Sequence, residues 1–338
     1  MRILLISPTQ KGIGGIAQHV QGLKNFLENS GNYVEIISSE NTFTIPIKGL
    51  KNPSFMISSF IKTKFKNNFD IIHAHNIPAG YAIKNMKGKK ILTQHGIFSE
   101  QIDLLHGKTA KTFSSKFEKN ALDCADIITV ISKEAEQHYK KLGYNVTYVP
   151  NAIDITNIPL IKEKKFSKQV IFAGRLSKEK GIETLIDIGK KLPSDIDLII
   201  LGAGPEEQKI QELVKNQKNV HFLGYQNKEN TLALIRGSDV LIQPSLQEGI
   251  SSTLLESMAC NTAVITSNVG GNVDLIENDV NGLLLDPQDS DSFVKEIINL
   301  LTNENKRKYL ENHASDTVQK YDWKNIGNSY LNLYRTIL

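Results

Sequence analysis

A short segment in the second half of the sequence combines two carboxylates with the start of a helix. Glu248 and Glu256 are separated by seven residues, and Ser251 or Ser252 between them can cap a helix that continues through Glu256. The free backbone N–H groups at residues 251–254 can bind a phosphate, while the two carboxylates flank that point. Carboxylates are poor phosphate ligands but good acceptors for sugar hydroxyls. A site that uses both indicates a nucleotide attached to a sugar.

Two cations precede this segment, in a loop that follows an apolar run. Arg175 and Lys180 lie within residues 174–181, between a predicted strand and a predicted helix. Arginine offers a planar fork of donors and lysine a mobile point charge, and together they suit a diphosphate. Such a pair on a loop is usually solvated surface. Its place at the carboxyl end of a strand favours the binding role.

Two glycine-containing loops also follow predicted strands. Residues 12–17 formally match the G-x-G-x-x-A pattern of dinucleotide-binding proteins. However, the first glycine does not follow the strand directly, and the acidic residue after the next strand, Glu40, lies too far beyond Gly12 for that pattern. The loop is either a flexible helix start or a glycine loop that approaches a phosphate or sugar. Residues 202–207 contain Pro205 and two glutamates, which are typical of a helix start and would repel a phosphate.

The pattern of apolar residues indicates which elements position these loops. Short apolar runs alternate with amphipathic stretches along the 338 residues, which is typical of parallel α/β architecture. Ligands of open parallel sheets bind beyond the carboxyl ends of the strands, where these loops lie. The predicted strands are 3–7, 34–38, 71–74, 90–93, 127–131, 147–149, 170–173, 198–201, 220–223, 240–242, 263–266 and 283–285.

The chain length predicts two α/β domains of similar size, each large enough for its own core. We place a first doubly wound domain at 1–165 and a second at 166–322, joined at the polar segment 161–166. The amphipathic stretch 323–338 follows the last predicted strand. We expect it to be a helix that crosses back to the first domain.

Charge is divided unevenly between the halves. Residues 1–166 carry 22 Lys/Arg and 13 Asp/Glu, giving +9, and residues 167–338 carry 18 and 23, giving −5, for a total of +4. This split argues against a uniformly basic nucleic-acid binder.

Two cysteines, Cys124 and Cys260, cannot build a disulfide framework, which fits a reducing compartment. The N-terminal apolar run is too short for a signal peptide, so we expect a cytoplasmic protein.

The order and spacing of these residues resemble the glycosyltransferases of family 4, which are retaining enzymes of the two-lobed GT-B fold. The paired glutamates of that family are matched by Glu248 and Glu256, and the resemblance covers nearly the entire chain. The other motifs that carry it lie at residues 14–15, 70–75, 93–96, 130–132, 149–154, 174–175, 180–181, 269–271 and 281–284. The resemblance implies two Rossmann-like domains that face each other across a cleft.

The resemblance also implies roles for the matched residues. Arg175 and Lys180 would hold the donor diphosphate and stabilise the leaving nucleotide. Glu256 would accept from the ribose hydroxyls and Glu248 from the transferred sugar, which makes Glu248 a catalytic residue together with the two cations and His95. The acceptor side would involve His75 and His95. The remaining implied donor contacts are Gly14, Gly15, Gly249, Ile250, Ser251, Ser252, Thr253 and Leu254.

Two departures from the family pattern leave the donor sugar open. The chain has Ile250-Ser251 after Gly249 where the family often has Phe-Gly, and it has Asp274 where glutamate is common.

The pairs at 195–197 and 289–291 match the D-x-D pattern of metal-dependent transferases of another fold. The first merely precedes a strand and the second is typical of a helix cap. We therefore predict no metal site and no cofactor apart from the nucleotide-sugar co-substrate.

Other functions stay open at this point. A nucleotide-sugar epimerase of the same two-lobed architecture could use His95 and Glu248 as acid and base. A dehydrogenase would rest only on residues 12–17, and a non-catalytic sugar-nucleotide binder would use the same site. His73, at a strand end, is expected to be a packed, hydrogen-bonded histidine.

The acceptor is expected to be sugar- or lipid-linked. Basic, partly apolar stretches at 61–66 and 108–119 could lie against an anionic membrane surface, although each could equally be a solvated helix face. The first domain would then make peripheral membrane contact.

Overall fold

The computed structural model describes residues 1–11, 14–47, 49–100 and 108–338, with the backbone alone for 108–114. The chain divides into two units. Unit 1 consists of Met1–Ala152 and Trp323–Leu338, and unit 2 consists of Ile153–Asp322.

The first boundary lies at residue 152, earlier than the predicted boundary at 165, because the connecting segment packs on unit 2. The N–H of Glu163 donates to the carbonyl of Ala233 over 2.9 Å. Lys164 Nζ lies 2.7 Å from a carboxylate oxygen of Asp239. The polar segment 161–166 thus packs against Ala233 and Asp239 of unit 2, and does not mark the join between the units.

Unit 1 is built on a six-stranded parallel sheet with the order β2-β1-β3-β4-β5-β6. The inner strands are buried on both faces, because helices cover both sides of the sheet. Its elements are β1 (Arg2–Ser7), α1 (Gly15–Asn29), β2 (Tyr33–Ser38), α2 (Lys51–Thr63), β3 (Ile71–His75), α3 (Ile77–Gly80), β4 (Lys89–Gln94), α4 (Lys108–Leu122), β5 (Ile127–Val130), α5 (Lys133–Lys141) and β6 (Val146–Tyr148).

Unit 2 repeats this plan with the strand order β12-β11-β10-β7-β8-β9, also parallel. The predicted α/β class with two doubly wound sheets is confirmed. Its elements are β7 (Gln169–Ala173), α6 (Ile182–Lys191), β8 (Asp197–Leu201), α7 (Glu207–Asn216), β9 (Val220–Gly224), α8 (Lys228–Gly237), β10 (Val240–Gln243), α9 (Ser252–Ala259), β11 (Ala263–Ser267), α10 (Asn272–Leu275), β12 (Leu283–Leu285), α11 (Ser290–Thr302) and α12 (Glu304–Val318).

Each sheet contains a point where the order of strands reverses. In unit 1 this point lies between β1 and β3, and in unit 2 it lies between β7 and β10. Loops that leave neighbouring strands in opposite directions open a crevice at such a point, and ligands of α/β sheets bind there. The loops after β7 and β10 carry the predicted cations and the first predicted glutamate.

The last helix, α13 (Trp323–Ile337), belongs to unit 1, where it packs on α1. Its buried side chains recur at helical spacing and include Trp323, Tyr330 and Tyr334. Gly22 of α1 lies against the indole of Trp323, so that a β-carbon at Gly22 would lie 2.2 Å from Nε1. Glycine is therefore needed at this crossing for the two helices to approach.

Helix α2 has one buried face and one exposed apolar face. Phe55, Ser59 and Thr63 face the interior at intervals of four residues. Ile57, Ile61 and Phe65 follow the same interval on the outside and are 60%, 51% and 80% exposed. Over the described residues, no helix combines the length and the apolar character required to cross a bilayer.

Candidate functional site

The loops after β7 and β10 meet through backbone contact. Gly181 ends the short turn Lys178–Lys180 with a φ of 67°, and a β-carbon on it would lie 1.8 Å from the carbonyl oxygen of Pro244. Only glycine accommodates both the left-handed φ and this close approach. The N–H of Leu246 also donates to the carbonyl of Glu179 over 2.8 Å. These contacts place Lys180 beside the loop that carries Glu248.

Three donors converge on one oxygen of Glu248. Its Oε1 accepts from Lys180 Nζ in an ion pair, from Gln243 Nε2 over 2.5 Å and from Ser245 Oγ over 2.8 Å. The side chain is only 8% exposed, so the paired lysine offsets the cost of burying the charge. Within the described part of the chain, Oε2 receives no hydrogen bond, which leaves it available to a ligand hydroxyl.

Ser251 supports this carboxylate indirectly. Its Oγ donates to Gln243 Oε1 over 3.0 Å and so orients the amide that donates to Glu248. Ser251 occupies the N-cap position of α9, but its side chain makes no capping bond. The predicted N-cap position is therefore confirmed for Ser251, but its hydroxyl donates to Gln243 and makes no capping bond. Ser252 begins the helix instead of capping it.

The second predicted glutamate has its own lysine. Glu256, in the second turn of α9, has a side chain that is 6% exposed and forms an ion pair with Lys228 at the start of α8. The structure thus holds the two predicted carboxylates in separate pairs, one with Lys180 and one with Lys228. At this pair, Lys228 offers a cation to an anionic ligand and Glu256 offers a carboxylate to a ribose hydroxyl.

Arg175 lies in the same loop as Lys180, with an exposed side chain. It is free to turn toward a ligand at the carboxyl end of β7. Gly249 packs against the loop after β11, since a β-carbon at Gly271 would lie 2.5 Å from its carbonyl carbon. Ile250 and Leu254 are buried, and residues 252–254 form the first turn of α9.

Unit 1 brings three histidines together from separate elements. His19 lies in α1, His75 ends β3 and His95 follows β4. His75 Nδ1 and His95 Nε2 are 3.3 Å apart, and the ring centroids of His19 and His95 are 4.9 Å apart. The ring nitrogens of the three residues that could hold a metal ion all lie within 4.8 Å of one another. The structure therefore places the predicted acceptor residues, His75 and His95, in direct contact.

Burial keeps these histidines neutral. Loss of water lowers the pKa of His19 to about 4, against a smaller opposite effect of its hydrogen bond to Asn151. Desolvation, together with the neighbouring rings, lowers the pKa of His75 and of His95 well below the usual value. At neutral pH each ring therefore has one N–H and one lone pair.

His73 is packed and hydrogen-bonded, as predicted. Its Nδ1 lies 2.7 Å from the hydroxyl of Tyr334 and its Nε2 lies 2.6 Å from Oγ1 of Thr93. Burial lowers the pKa of His73 to about 3. Both ring nitrogens have hydroxyl partners, so His73 serves as a support beneath His75.

A strained residue connects the ends of β3 and β4. Asn76 has φ 63° and ψ 163°, a conformation that residues other than glycine rarely adopt. Its Oδ1 accepts from the N–H of His95 over 3.0 Å, and its N–H donates to the carbonyl of Thr93 over 2.8 Å. These two bonds hold His95 beside His75.

The glycine loop is described in part. Gly12 and Ile13 lie outside the described residues, Gly14 occupies the N-cap position of α1 and Gly15 begins that helix.

The D-x-D pairs have other roles: Asp289 caps α11 through a bond from the Ser292 N–H over 3.0 Å, and Asp195 pairs with Lys168. The helix-cap reading of the second pair is confirmed.

Sequence reasoning missed the residues that hold the predicted ones in place. They are His19, Asn76, Asn151, Lys228, Gln243 and Ser245. Two carried a recognisable signal. Gln243 is a polar residue at the end of an apolar strand, and His19 falls on the buried stripe of an amphipathic helix. Lys228 had no local signal, because only the fold brings it to Glu256.

Comparisons with known proteins agree with these features. A family model described as Glycosyltransferase Family 4 matches residues 13–157, and one described as Glycosyl transferases group 1 matches residues 155–317. An uncharacterised glycosyltransferase of Methanocaldococcus jannaschii is 26% identical over 376 residues, covering 96% of this chain and 94% of that protein.

Two solved structures share the fold over almost the whole chain. Sucrose-phosphate synthase of Thermosynechococcus elongatus gives a TM-score of 0.83 at 21% identity and covers 99% of this chain and 98% of its own. Anabaena HepE in complex with UDP-glucose gives a TM-score of 0.75 at 19% identity, with 99% and 100% covered.

The bonds around Glu248 predict a stability defect for Gln243→Met. The substitution keeps the volume of this buried side chain but removes one donor to Oε1 and leaves the Ser251 hydroxyl without its acceptor. We expect the free energy of unfolding of unit 2 to fall by about 1–3 kcal/mol, measured by urea unfolding followed by circular dichroism. Gln211→Met, at an exposed position of α7, is the matched control. Equal unfolding midpoints for the two variants would contradict the assigned role.

Proposed function

Because the chain belongs to the group 1 glycosyltransferases of family 4, and has the GT-B fold of that family, we propose that it transfers a sugar from a nucleoside-diphosphate sugar to an acceptor hydroxyl. The observation that carries this proposal is the convergence of Lys180, Gln243 and Ser245 on Glu248 Oε1 at the switch point of unit 2. A carboxylate held in this way presents its other oxygen to a sugar hydroxyl, with cations beside it for a diphosphate.

The proposed chemistry uses positive charge to stabilise the leaving group. The bond between the anomeric carbon and the diphosphate oxygen breaks while the acceptor oxygen bonds to the same carbon. Arg175 and Lys180 would stabilise the charge that develops on the departing diphosphate, and such preorganised charge is usually a large contribution to catalysis. The acceptor proton would leave with the departing phosphate. Attack from the face that the diphosphate leaves would retain the anomeric configuration.

Glu248 suits a binding role better than a nucleophilic one. Three donors stabilise its negative charge at Oε1, which makes the carboxylate a weaker nucleophile. We therefore propose that it accepts from hydroxyls of the transferred sugar. Arg175 and Lys180 would supply the positive charge that a metal ion supplies in other transferases, so we propose turnover without a metal ion.

A uridine nucleotide is the first donor to test, and a guanosine nucleotide the second. The likeness in fold to HepE, whose structure contains UDP-glucose, supports this order. A thermal-shift panel of UDP, GDP and ADP identifies the base, because a ligand that binds only the folded protein raises the unfolding temperature.

Glu256→Gln is expected to weaken binding of the preferred nucleotide about tenfold, since a hydrogen bond to a charged group contributes about 1.5–3 kcal/mol. Isothermal titration calorimetry measures the change. Glu229→Gln, an exposed neighbour of Lys228 on α8, is the control and should bind like the parent protein. An unchanged dissociation constant in a folded Glu256→Gln protein would remove Glu256 from the proposed ribose site.

Arg175→Ala is expected to lower turnover about 100- to 1000-fold, because it removes a cation from the leaving group. Release of nucleotide from UDP-glucose and related donors, with and without added acceptors, measures turnover. Arg335→Ala, an exposed arginine of α13, should retain the parental rate. Full activity of Arg175→Ala would contradict the proposal, and an epimerised sugar formed from donor alone would favour an epimerase.

The acceptor is proposed to be sugar- or lipid-linked, reached by peripheral contact of unit 1 with the cytoplasmic face of a membrane. Residues 43–66 contain five lysines and no acidic residue. Lys51, Lys64 and the apolar stripe Ile57, Ile61 and Phe65 are exposed on or next to α2. An amphipathic helix with apolar and basic residues outward suits an anionic lipid surface. The other basic stretch, 108–119, lies in α4 and is described mainly by its backbone.

The double variant Ile57→Glu, Ile61→Glu is expected to lose binding to vesicles of phosphatidylglycerol and phosphatidylcholine. Burial of such side chains contributes about 1.5–3 kcal/mol each, and each nearby lysine adds about 1 kcal/mol on an anionic surface. Co-sedimentation measures the bound fraction. Leu160→Glu, at an apolar position of unit 2 that is 88% exposed, is the control. If the parent protein does not bind the vesicles, or if its binding does not change with salt concentration, membrane contact is contradicted.

A further inference from the structure

We propose that His19, His75 and His95 form a binding site in unit 1 for a divalent transition-metal ion, with zinc as the preferred ion. The site is distinct from the proposed donor site in unit 2, and binding of the ion does not rest on the proposed function. Its consequence for turnover does rest on it.

The spacing of the ring nitrogens matches the requirement of such an ion. Two nitrogens bound to one tetrahedral zinc ion at about 2.0–2.1 Å lie about 3.3–3.4 Å apart. His75 Nδ1 and His95 Nε2 are 3.3 Å apart. The ligand nitrogen of His19 lies within 4.8 Å of both, so a shift of about 1–1.5 Å along the side chain of His19 brings it to the same spacing from the other two nitrogens.

The fold fixes the three residues from different directions. His19 comes from α1, His75 from the end of β3 and His95 from the loop after β4. Both strands next to the switch point of unit 1 therefore contribute, β1 through the helix that follows it and β3 through its last residue. The bond from the N–H of His95 to Asn76 Oδ1 holds the third ligand near the second. Ligands on rigid elements need little reorganisation to bind an ion.

The partners of His19 orient its free nitrogen. Asn151 Oδ1 lies 3.0 Å from His19 Nδ1, so the amide oxygen accepts the ring proton and directs the lone pair to Nε2. Most metal-binding histidines have such an oxygen partner on the other ring nitrogen. The hydroxyl of Tyr330 lies 3.3 Å from His19 Nε2, a long contact that an ion at this nitrogen would replace.

His75 also has the capacity to bind an ion. Its Nε2 is buried without a hydrogen-bond partner among the described residues. The ring proton can therefore lie on Nε2, which leaves the lone pair of Nδ1 available to an ion. In the described part of the chain, Nδ1 of His75 has one polar partner, the Nε2 of His95. Two imidazole nitrogens that face each other form a hydrogen bond when one of them carries a proton. When both present lone pairs, a cation between them is needed to offset the repulsion. His73, whose two nitrogens both have hydroxyl partners, shows the fully bonded alternative within the same cluster.

Three neutral imidazoles are typical ligands of zinc, copper, nickel and cobalt, and they suit magnesium and calcium poorly. A three-histidine site also leaves one position for water or another ligand. Since His95 is proposed to lie beside the sugar on the acceptor side, an ion that binds its lone pair should inhibit transfer. We therefore expect zinc to inhibit an enzyme that needs no metal for turnover.

Metal binding is tested on the full chain after treatment with a chelator. We expect one equivalent of Co²⁺ to give the intense visible absorption of a four-coordinate ion, and Zn²⁺ to displace it. His19→Gln should weaken Co²⁺ binding about tenfold or more. His313→Gln, which changes a histidine at the surface of α12, should bind like the parent protein. Absence of a one-to-one complex, or equal binding by the two variants, would overturn the proposal.

A variant with an effect in the opposite direction separates ligation from folding. Asn151→Asp should tighten binding of Zn²⁺, because a carboxylate partner makes the ligating histidine more basic. A loss of fold cannot produce tighter binding, so a tighter complex supports the site. Weaker or unchanged affinity in a variant whose circular dichroism and unfolding midpoint match those of the parent protein would count against it. No sugar or nucleotide enters these measurements, and they succeed or fail independently of the proposed function.

Inhibition is measured separately, as release of nucleotide from the donor at increasing Zn²⁺. We expect turnover to fall as the site fills and to recover when EDTA is added. His313→Gln should show the parental inhibition. Stoichiometric binding without loss of turnover would overturn the inhibitory consequence and leave the metal site standing.

Discussion

The contact between Gly181 and the carbonyl oxygen of Pro244 determines the geometry of the site in unit 2. The backbones can approach this closely only because residue 181 has no β-carbon and tolerates a φ of 67°. The contact exists because the strand order reverses between β7 and β10, which makes their following loops neighbours. Lys180 precedes the contact and Glu248 follows it, so the ion pair between them is a consequence of the backbone.

Two buried carboxylates then constrain the rest of unit 2. An unpaired buried carboxylate is costly, and each glutamate has its own lysine: Lys180 for Glu248 and Lys228 for Glu256. The four charges cancel locally. The net charge of −5 in the second half of the sequence is therefore no obstacle to binding a diphosphate. Exposed Arg175 adds a cation that no carboxylate in the described residues neutralises through a short contact.

The sequence allowed the fold and the family to be predicted because both depend on local patterns. Each of the twelve strands that the structure describes was located within one residue at either end, since apolar runs covered by helices on both sides are continuous in sequence. The domain boundary was wrong, because the polar segment 161–166 obtains its partners in unit 2 from Ala233 and Asp239, far along the chain.

The same distinction applies to the site. Lys180 and Glu248 could be identified as separate motifs, and their contact followed from the order of strands. Lys228 and Asn151 could not be identified, because each has its role only through a residue that the fold brings near it. Ser251 occupies the N-cap position as predicted, but the partner of its hydroxyl could not be predicted for a similar reason. Capping is the local choice for a serine before a helix, and the amide of Gln243 competes with it successfully.

The two units differ in how they satisfy their polar groups. Unit 2 pairs charges, whereas unit 1 keeps a group of histidines neutral by burial and gives two of them, His19 and His73, hydroxyl or amide partners. Two of those hydroxyls come from α13: Tyr334 bonds to His73, 261 residues away in sequence, and Tyr330 contacts His19, 311 residues away. Without Tyr334, one ring nitrogen of His73 would be left without a partner in a dry interior, at a cost of about 1–3 kcal/mol. The last helix is therefore part of the structure that holds His75 and His95 in place, in addition to its packing against α1.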